Sequence, residues 1–242
     1  MPLLAIDVGN SRIKWGLHDS SRWIEQGAVE HARAQDLEAA WLHLGAAWHA
    51  IGSNVSTPSL ALNIETMLRL RGVPIRWIES RRDQCGVHNL YRDVRQLGTD
   101  RWAALIAARA LHSGACLVIS AGTAVTVDAL TARGYFLGGL ILPGLQLMRD
   151  ALVRDTARLA SDAGTYADFP RTTADAIASG AINAVAGAVE HYRTRLRGEV
   201  GGSVGVLATG GAIGTLGPHL GADTRFIENL VLEGLLIIAA DS

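Results

Sequence analysis

Two acidic side chains in this sequence stand where an acid needs a purpose. Asp7 closes the apolar run LLAI and is followed by Gly9, Asn10 and Ser11, with Lys14 soon after. Asp100 lies in GTDR (98–101), directly ahead of an apolar stretch with helical spacing. A turn of small residues between two strands exposes backbone N–H groups and lets phosphate oxygens approach closely. A carboxylate beside phosphates is useful only through a cation, and Mg2+ typically takes one or two protein carboxylates while keeping several waters. Lys14 would neutralise phosphate charge directly. Plainer readings stand beside these. Asp7 can be a turn-former, Lys14 a solvated strand residue, Asp100 a helix-capping acid and Arg101 a surface cation.

Two further glycine elements belong to the same chemistry. LVISAGTA (117–124) aligns with LAIDVGNS at a constant offset, pairing Gly9 with Gly122 and Asp7 with Ser120. LATGGAIG (207–214) follows a strand and precedes a helix, where its backbone could support an adenine ring. No GxxxxGK[ST] element occurs, and no GxGxxG follows the first strand, which argues against a P-loop and a Rossmann site.

These residues need a scaffold, and the pattern supplies one. Residues 3–8, 12–17 and 23–29 read as an antiparallel meander separated by polar turns. Helical spacing follows over 36–48, then a strand at 50–55, a helix over 58–71 ended by Gly72, and a strand at 73–79. The second half repeats the plan. A strand, turn and strand cover 117–130 and a third strand 134–144. Helices follow over 143–158 and 173–197, then a strand at 204–211 and an apolar helix over 229–240. The expected fold is α/β: a duplicated β-β-β-α-β-α-β plan in two similar domains, 1–113 and 114–242.

With 242 residues, 49% apolar and 19% charged, the chain can bury a substantial core and is not disordered. A net charge of −1 gives no electrostatic case for nucleic acid or an anionic membrane. Cys85 and Cys116 lack metal-ligand spacing and read as free thiols in a reducing compartment. With neither signal peptide nor bilayer-spanning run in view, the expectation is a soluble, cytoplasmic protein. Trp15, Trp41, Trp48 and Trp102 sit at core-like positions, and His18, His31 and His112 read as surface or boundary residues.

Taken together, the motifs resemble the type III pantothenate kinases of the acetate kinase–Hsp70–actin superfamily. DVGNSRIK is similar to that family's first phosphate motif, SAGTA to its second, and ATGG to its adenosine motif. GTDR resembles the G-x-D-R signature, with Tyr91 seven residues ahead at the position of a pantothenate-binding tyrosine. The resemblance implies two ribonuclease H-like domains with a nucleotide cleft between them, and ATP-dependent phosphorylation of pantothenate at its primary hydroxyl. It places Asp7, Val8, Gly9, Asn10, Ser11, Arg12, Ile13, Lys14 and Thr123 at ATP and Mg2+. It places Tyr91, Gly98, Thr99 and Arg101 at the substrate, with Asp100 as general base. Thr173 would reach the substrate from the partner subunit of a homodimer, although Thr172 or Thr173 can also cap the helix that follows.

Two physical expectations qualify that picture. A helix N-terminus stabilises an anion, which would make Asp100 a weaker base than a buried carboxylate. The resemblance implies a cation-binding aspartate, carried by many relatives, where this chain has Ser120, so a K+ or NH4+ site is expected to be weaker or absent. Two alternatives remain: a kinase of the same superfamily acting on another small molecule, and a nucleotide-binding regulator without turnover. The family was first met under a regulatory accessory-factor label.

Overall fold

The computed structural model describes residues 2–42, 44, 49–155 and 164–241. The chain divides into two compact units, Met1–Ala110 with Asn229–Ser242, and Leu111–Glu228.

The first unit opens with strands β1 (Leu3–Val8), β2 (Arg12–His18) and β3 (Trp23–Glu30), followed by helix α1 (Asp36–Trp41). Strand β4 (His49–Asn54), helix α2 (Pro58–Leu70) and strand β5 (Ile75–Trp77) complete its sheet, ordered β3-β2-β1-β4-β5. β1 runs antiparallel to β2 and parallel to β4. The apolar positions of β1 and β2 explain the pairing: Leu4, Ile6, Val8, Ile13, Trp15 and Leu17 share one core with Trp41, Ile64 and Leu68 of the helices. Pro58 opens α2 with its fixed φ, and Gly72 at φ +73° ends it, its N–H donating to the Arg69 carbonyl. A short hairpin, β6 (Asp83–Gln84) and β7 (Val87–Asn89), then leads to helix α3 (Thr99–Leu111).

The second unit holds β8 (Ala115–Ala121), β9 (Ala124–Leu130), β10 (Tyr135–Pro143), helices α4 (Leu145–Asp155) and α5 (Thr173–Val200), β11 (Val204–Thr209), the short α6 (Ile213–Leu216) and β12 (Thr224–Phe226). Its strands run in the order β10-β9-β8-β11-β12, with the same pattern of parallel and antiparallel neighbours as in the first unit. The registers match as well. Asp7 lies opposite Lys14 on β2 and Ser53 on β4, while Ser120 lies opposite Thr126 on β9 and Thr209 on β11. The strand plan is therefore duplicated, while the second unit carries two helices, α4 and α5, between β10 and β11 where the first carries α1 between β3 and β4.

The final helix, α7 (Leu230–Ala240), belongs to the first unit. Trp23 Nε1 donates to Glu233 Oε1 at 2.8 Å, and Asn229 Nδ2 to Gln26 Oε1 at 2.6 Å. A Cβ on Gly234 would fall 1.9 Å from the Ala103 carbonyl oxygen, so only glycine permits this approach of α7 to α3.

Several boundaries differ from the sequence expectation. Pro143 ends β10 opposite Ala124, so α4 starts at Leu145. The strand expected over 73–79 is only Ile75–Trp77. The hairpin 83–89 and strand β12 were not anticipated, because runs of two or three residues carry no readable period. The far ends of the expected helices 36–48 and 143–158, Trp48 included, lie outside the described residues. Trp15, Trp41 and Trp102 are buried core residues as expected.

Candidate active site

The first glycine turn is built by β1, β2 and one histidine. Gly9 N–H donates to the Arg12 carbonyl at 3.1 Å and closes the turn. His31 occupies two of its carbonyls: the backbone N–H donates to Ser11 O at 3.2 Å, and Nε2 lies 2.8 Å from Gly9 O. A carbonyl only accepts, so this contact fixes the Nε2–H tautomer or the imidazolium. Asn10, Ser11 and Arg12 are exposed, whereas Val8 and Ile13 are wholly buried, so the last two can offer a ligand only their backbone. Asp7 stands beneath this turn. Its Oδ1 is sealed from solvent and has no hydrogen-bond partner. Burial and then the charge of Asp100 push its pKa up to about 7, against the opposing pull of Lys14.

The start of α3 brings up the second carboxylate. Thr99 Oγ1 lies 2.9 Å from Ser53 Oγ and donates to Asn54 O at 3.3 Å, docking the helix start on β4, the strand that neighbours Asp7. A Cβ on Gly98 would lie 2.6 Å from Asp100 Oδ1, which explains why the residue two before this acid has no side chain. Arg101 N–H donates to Asp100 Oδ1 at 2.7 Å. Asp100 thus does satisfy one free donor of the first helical turn. Its pKa is nevertheless raised, because burial outweighs the Arg101 N–H and the Arg101 charge. The expectation of a weakened base is corrected: desolvation prevails over the helix terminus here.

Arg101 is no surface cation; it is 5% exposed. Its Nη2 donates to the Tyr91 hydroxyl at 3.3 Å, and its guanidinium carbon lies 5.9 Å from the centre of the Tyr91 ring. The first unit therefore gathers Asp7, Lys14, Thr99, Asp100, Arg101 and Tyr91 through a continuous set of contacts. His31 and the segment before Tyr91 were missed in the sequence. An asparagine two residues ahead of a tyrosine is a usable Asx-turn signal, whereas nothing local marks His31.

In the second unit the SAGTA turn is closed by Gly122 N–H donating to Ala124 O at 3.0 Å, one residue tighter than its counterpart. Thr123 is exposed at its tip, and its carbonyl accepts from Gly144 N–H at 2.9 Å. Gly210 of ATGG has φ +112°, and a Cβ there would lie 2.3 Å from the Ala121 carbonyl oxygen. Thr172 is the N-cap of α5, its Oγ1 accepting from Asp175 N–H at 3.1 Å. Thr173 is thereby relieved of capping and stands exposed at the first helical position. Among the described residues no group of three or more His, Cys, Asp or Glu could hold a metal, and no helix is long and apolar enough to cross a membrane.

Comparison with known proteins agrees in family and fold. The family model for type III pantothenate kinase matches residues 3–195. The type III pantothenate kinase of Nitrosospira multiformis is 44% identical over 240 residues, covering 99% of this chain and 92% of the relative. That of Aromatoleum aromaticum is 46% identical over 242 residues, covering 99% and 98%. Among solved structures, the ethanolamine utilization protein EutJ from Carboxydothermus hydrogenoformans superposes with a TM-score of 0.57 at 13% identity, covering 100% of this chain and 90% of the other. Component A of (R)-2-hydroxyglutaryl-CoA dehydratase from Acidaminococcus fermentans gives 0.51 at 14%, covering 99% and 96%. At such identities these two likenesses establish the fold alone. With the family model spanning most of the chain and relatives matching it end to end, the chain belongs to the type III pantothenate kinase family.

Proposed function

We propose that the protein transfers the γ-phosphoryl group of ATP to the primary hydroxyl of pantothenate, giving 4'-phosphopantothenate on the route to coenzyme A. The observation that carries this reading is the half-buried Asp100, its pKa raised, beside Arg101 and Tyr91 and within electrostatic reach of Asp7. Asp100 accepts the proton of the pantothenate hydroxyl; its raised pKa keeps that transfer closer to balance than a free carboxylate would. Arg101 presents its planar fork to the pantothenate carboxylate, and Tyr91 holds the fork in place. Gly98 leaves room for the Asp100 carboxylate, and Thr99 fixes the helix that bears it.

Asp7 holds Mg2+ through water: a sealed carboxylate oxygen without a partner fits a cation or its hydration shell. When bound, the ion offsets the charge of the phosphates. The backbone from Val8 to Ile13 faces the phosphates, and Lys14 neutralises them directly. Thr123 and the ATGG turn are assigned to the nucleotide. Thr173 serves the site of a second copy in a homodimer. With Ser120 in place of an acid, a requirement for K+ or NH4+ is weak. The enzyme works in the cytoplasm.

The test is ADP release from Mg-ATP with and without pantothenate, in K+, in NH4+ and in a bulky organic cation. Pantothenate-dependent release supports the kinase, and its profile across the three salts reports on Ser120. ATP binding without release in any salt favours a regulatory protein.

A further inference from the structure

The segment from Arg82, just ahead of β6, to α3 contains a polar residue that the proposed chemistry does not use. Asn89 is 0% exposed, yet every hydrogen-bonding group it has is engaged inside this segment. Its N–H donates to Arg82 O at 2.8 Å and its carbonyl accepts from Arg82 Nη1 at 2.6 Å. Its side-chain Oδ1 accepts from Tyr91 N–H at 3.0 Å, and Nδ2 donates to Val94 O at 3.3 Å. Arg82 extends the arrangement, donating from Nη1 to Tyr91 O at 3.0 Å and from Nη2 to Arg92 O at 3.4 Å.

The hairpin ahead of it delivers this geometry. Cys85 and Gly86, both at positive φ (49° and 74°), make the two-residue turn that sets β7 against β6 and turns Asn89 inward. Buried polar groups that are fully satisfied rigidify what surrounds them, and a half-satisfied set costs more than an apolar one. Here the rigidified object is the Tyr91 backbone, and the Tyr91 hydroxyl accepts from Arg101.

We infer that Asn89, braced by Arg82, is a positioning residue for recognition of the acid substrate: it fixes Tyr91 against Arg101 without touching the substrate itself. This rests on the reading that Arg101, held by Tyr91, takes the pantothenate carboxylate. Loosening Asn89 lets Tyr91 move, Arg101 loses a fixed neighbour, and affinity at the carboxylate end falls. The phosphate turn hangs on β1, β2 and His31 and is not served by this brace.

The experiment measures KM for pantothenate, KM for ATP, kcat and Tm on the full chain carrying Asn89→Ala, Asn89→Ser, Arg82→Ala or Tyr91→Ala. Asn89→Ala is expected to raise KM for pantothenate about tenfold, the worth of one lost hydrogen bond of about 1.4 kcal/mol. KM for ATP is expected to stay within about twofold. Asn89→Ser keeps a hydroxyl acceptor for the Tyr91 N–H and should recover part of the loss. Arg82 is exposed, so Arg82→Ala keeps the test decisive even where Asn89→Ala fails to fold. The inference is overturned by an unchanged KM for pantothenate in Arg82→Ala and in whichever Asn89 variant folds, while Tyr91→Ala raises it. It is likewise overturned by equal rises in both KM values, which would mark general loosening. An unchanged KM for pantothenate in Tyr91→Ala overturns the substrate reading, and the inference with it.

Discussion

Asp7, at the end of β1, and Asp100, in the first turn of α3, lie close enough that the charge of Asp100 helps push Asp7 up to about 7. Lys14 opposes that shift without cancelling it, while the Arg101 N–H and charge act on Asp100. Asp7 therefore ionises against the field of Asp100 as well as against its own burial. An acid left hard to ionise in the free protein is set to gain most when a cation arrives.

Stability of the free protein should record this. Between the ordinary value of 3.8 and about 7, the unfolded chain is ionised at this position while folded Asp7 keeps its proton. Ionisation therefore opposes folding increasingly across that window and in full above it. Asp7→Asn should raise Tm in metal-free buffer near pH 8, equivalent to about 2–4 kcal/mol, with the gain vanishing near pH 4. The same variant should lose Mg2+-dependent turnover. A Tm difference that does not change with pH would remove the burial argument.

Asp100→Asn keeps shape and volume but cannot take a proton. We expect kcat to fall by about 10²–10⁴ with ATP affinity within about twofold of wild type. Equilibrium binding of ATP and steady-state turnover check the two halves separately. A variant that turns over normally would leave Asp100 as a helix-terminal acid and no more.

Thr172 and Thr173 separate two roles that adjacent positions in the sequence confuse. Thr172→Ala removes the cap of α5 and should cost about 1 kcal/mol of stability, read by denaturant melts. Thr173→Ala should leave stability within about 0.5 kcal/mol and raise KM for pantothenate. Mixing Thr173→Ala with Asp100→Asn should restore about a quarter of wild-type activity through mixed dimers with one intact site. No recovery after subunit exchange would place Thr173 outside a shared site.

Gly210 and Gly211 offer a matched pair in ATGG. Gly210→Ala meets both the positive φ and the Ala121 carbonyl, and should destabilise by at least about 3 kcal/mol. A methyl group on Gly211 would meet nothing within 4 Å, so Gly211→Ala should be close to neutral in a thermal melt. Equal losses at both would show that flexibility of the turn, not close packing, is what the glycines provide.

Much of this architecture was legible in the sequence. The apolar runs ending at Asp7 and Ser120 gave the two opening strands, and the constant offset between them gave the duplication that the strand order then displayed. What stayed hidden was either very short or non-local. β12 has three residues. The docking of Thr99 on Ser53 joins residues whose proximity only the folded sheet creates, and so does the grip of His31 on the first turn. Taken alone, Arg101 could be read as a surface cation, and only its place in GTDR assigned it to the substrate. One of its neighbours is Tyr91, which arrives through a hairpin too small to leave a pattern.

The common strand order and register of the two units have a further meaning. At one spot the first unit sets an acid, an amine and a hydroxyl side by side: Asp7, Lys14 and Ser53. At the matching spot the second sets three hydroxyls, Ser120, Thr126 and Thr209. One strand scaffold thus appears twice in the gene product, and at this spot the copies differ in three side chains. The same pleated frame thus carries charge in one copy and only hydroxyls in the other, so a single pairing geometry serves an ionic spot and a neutral one.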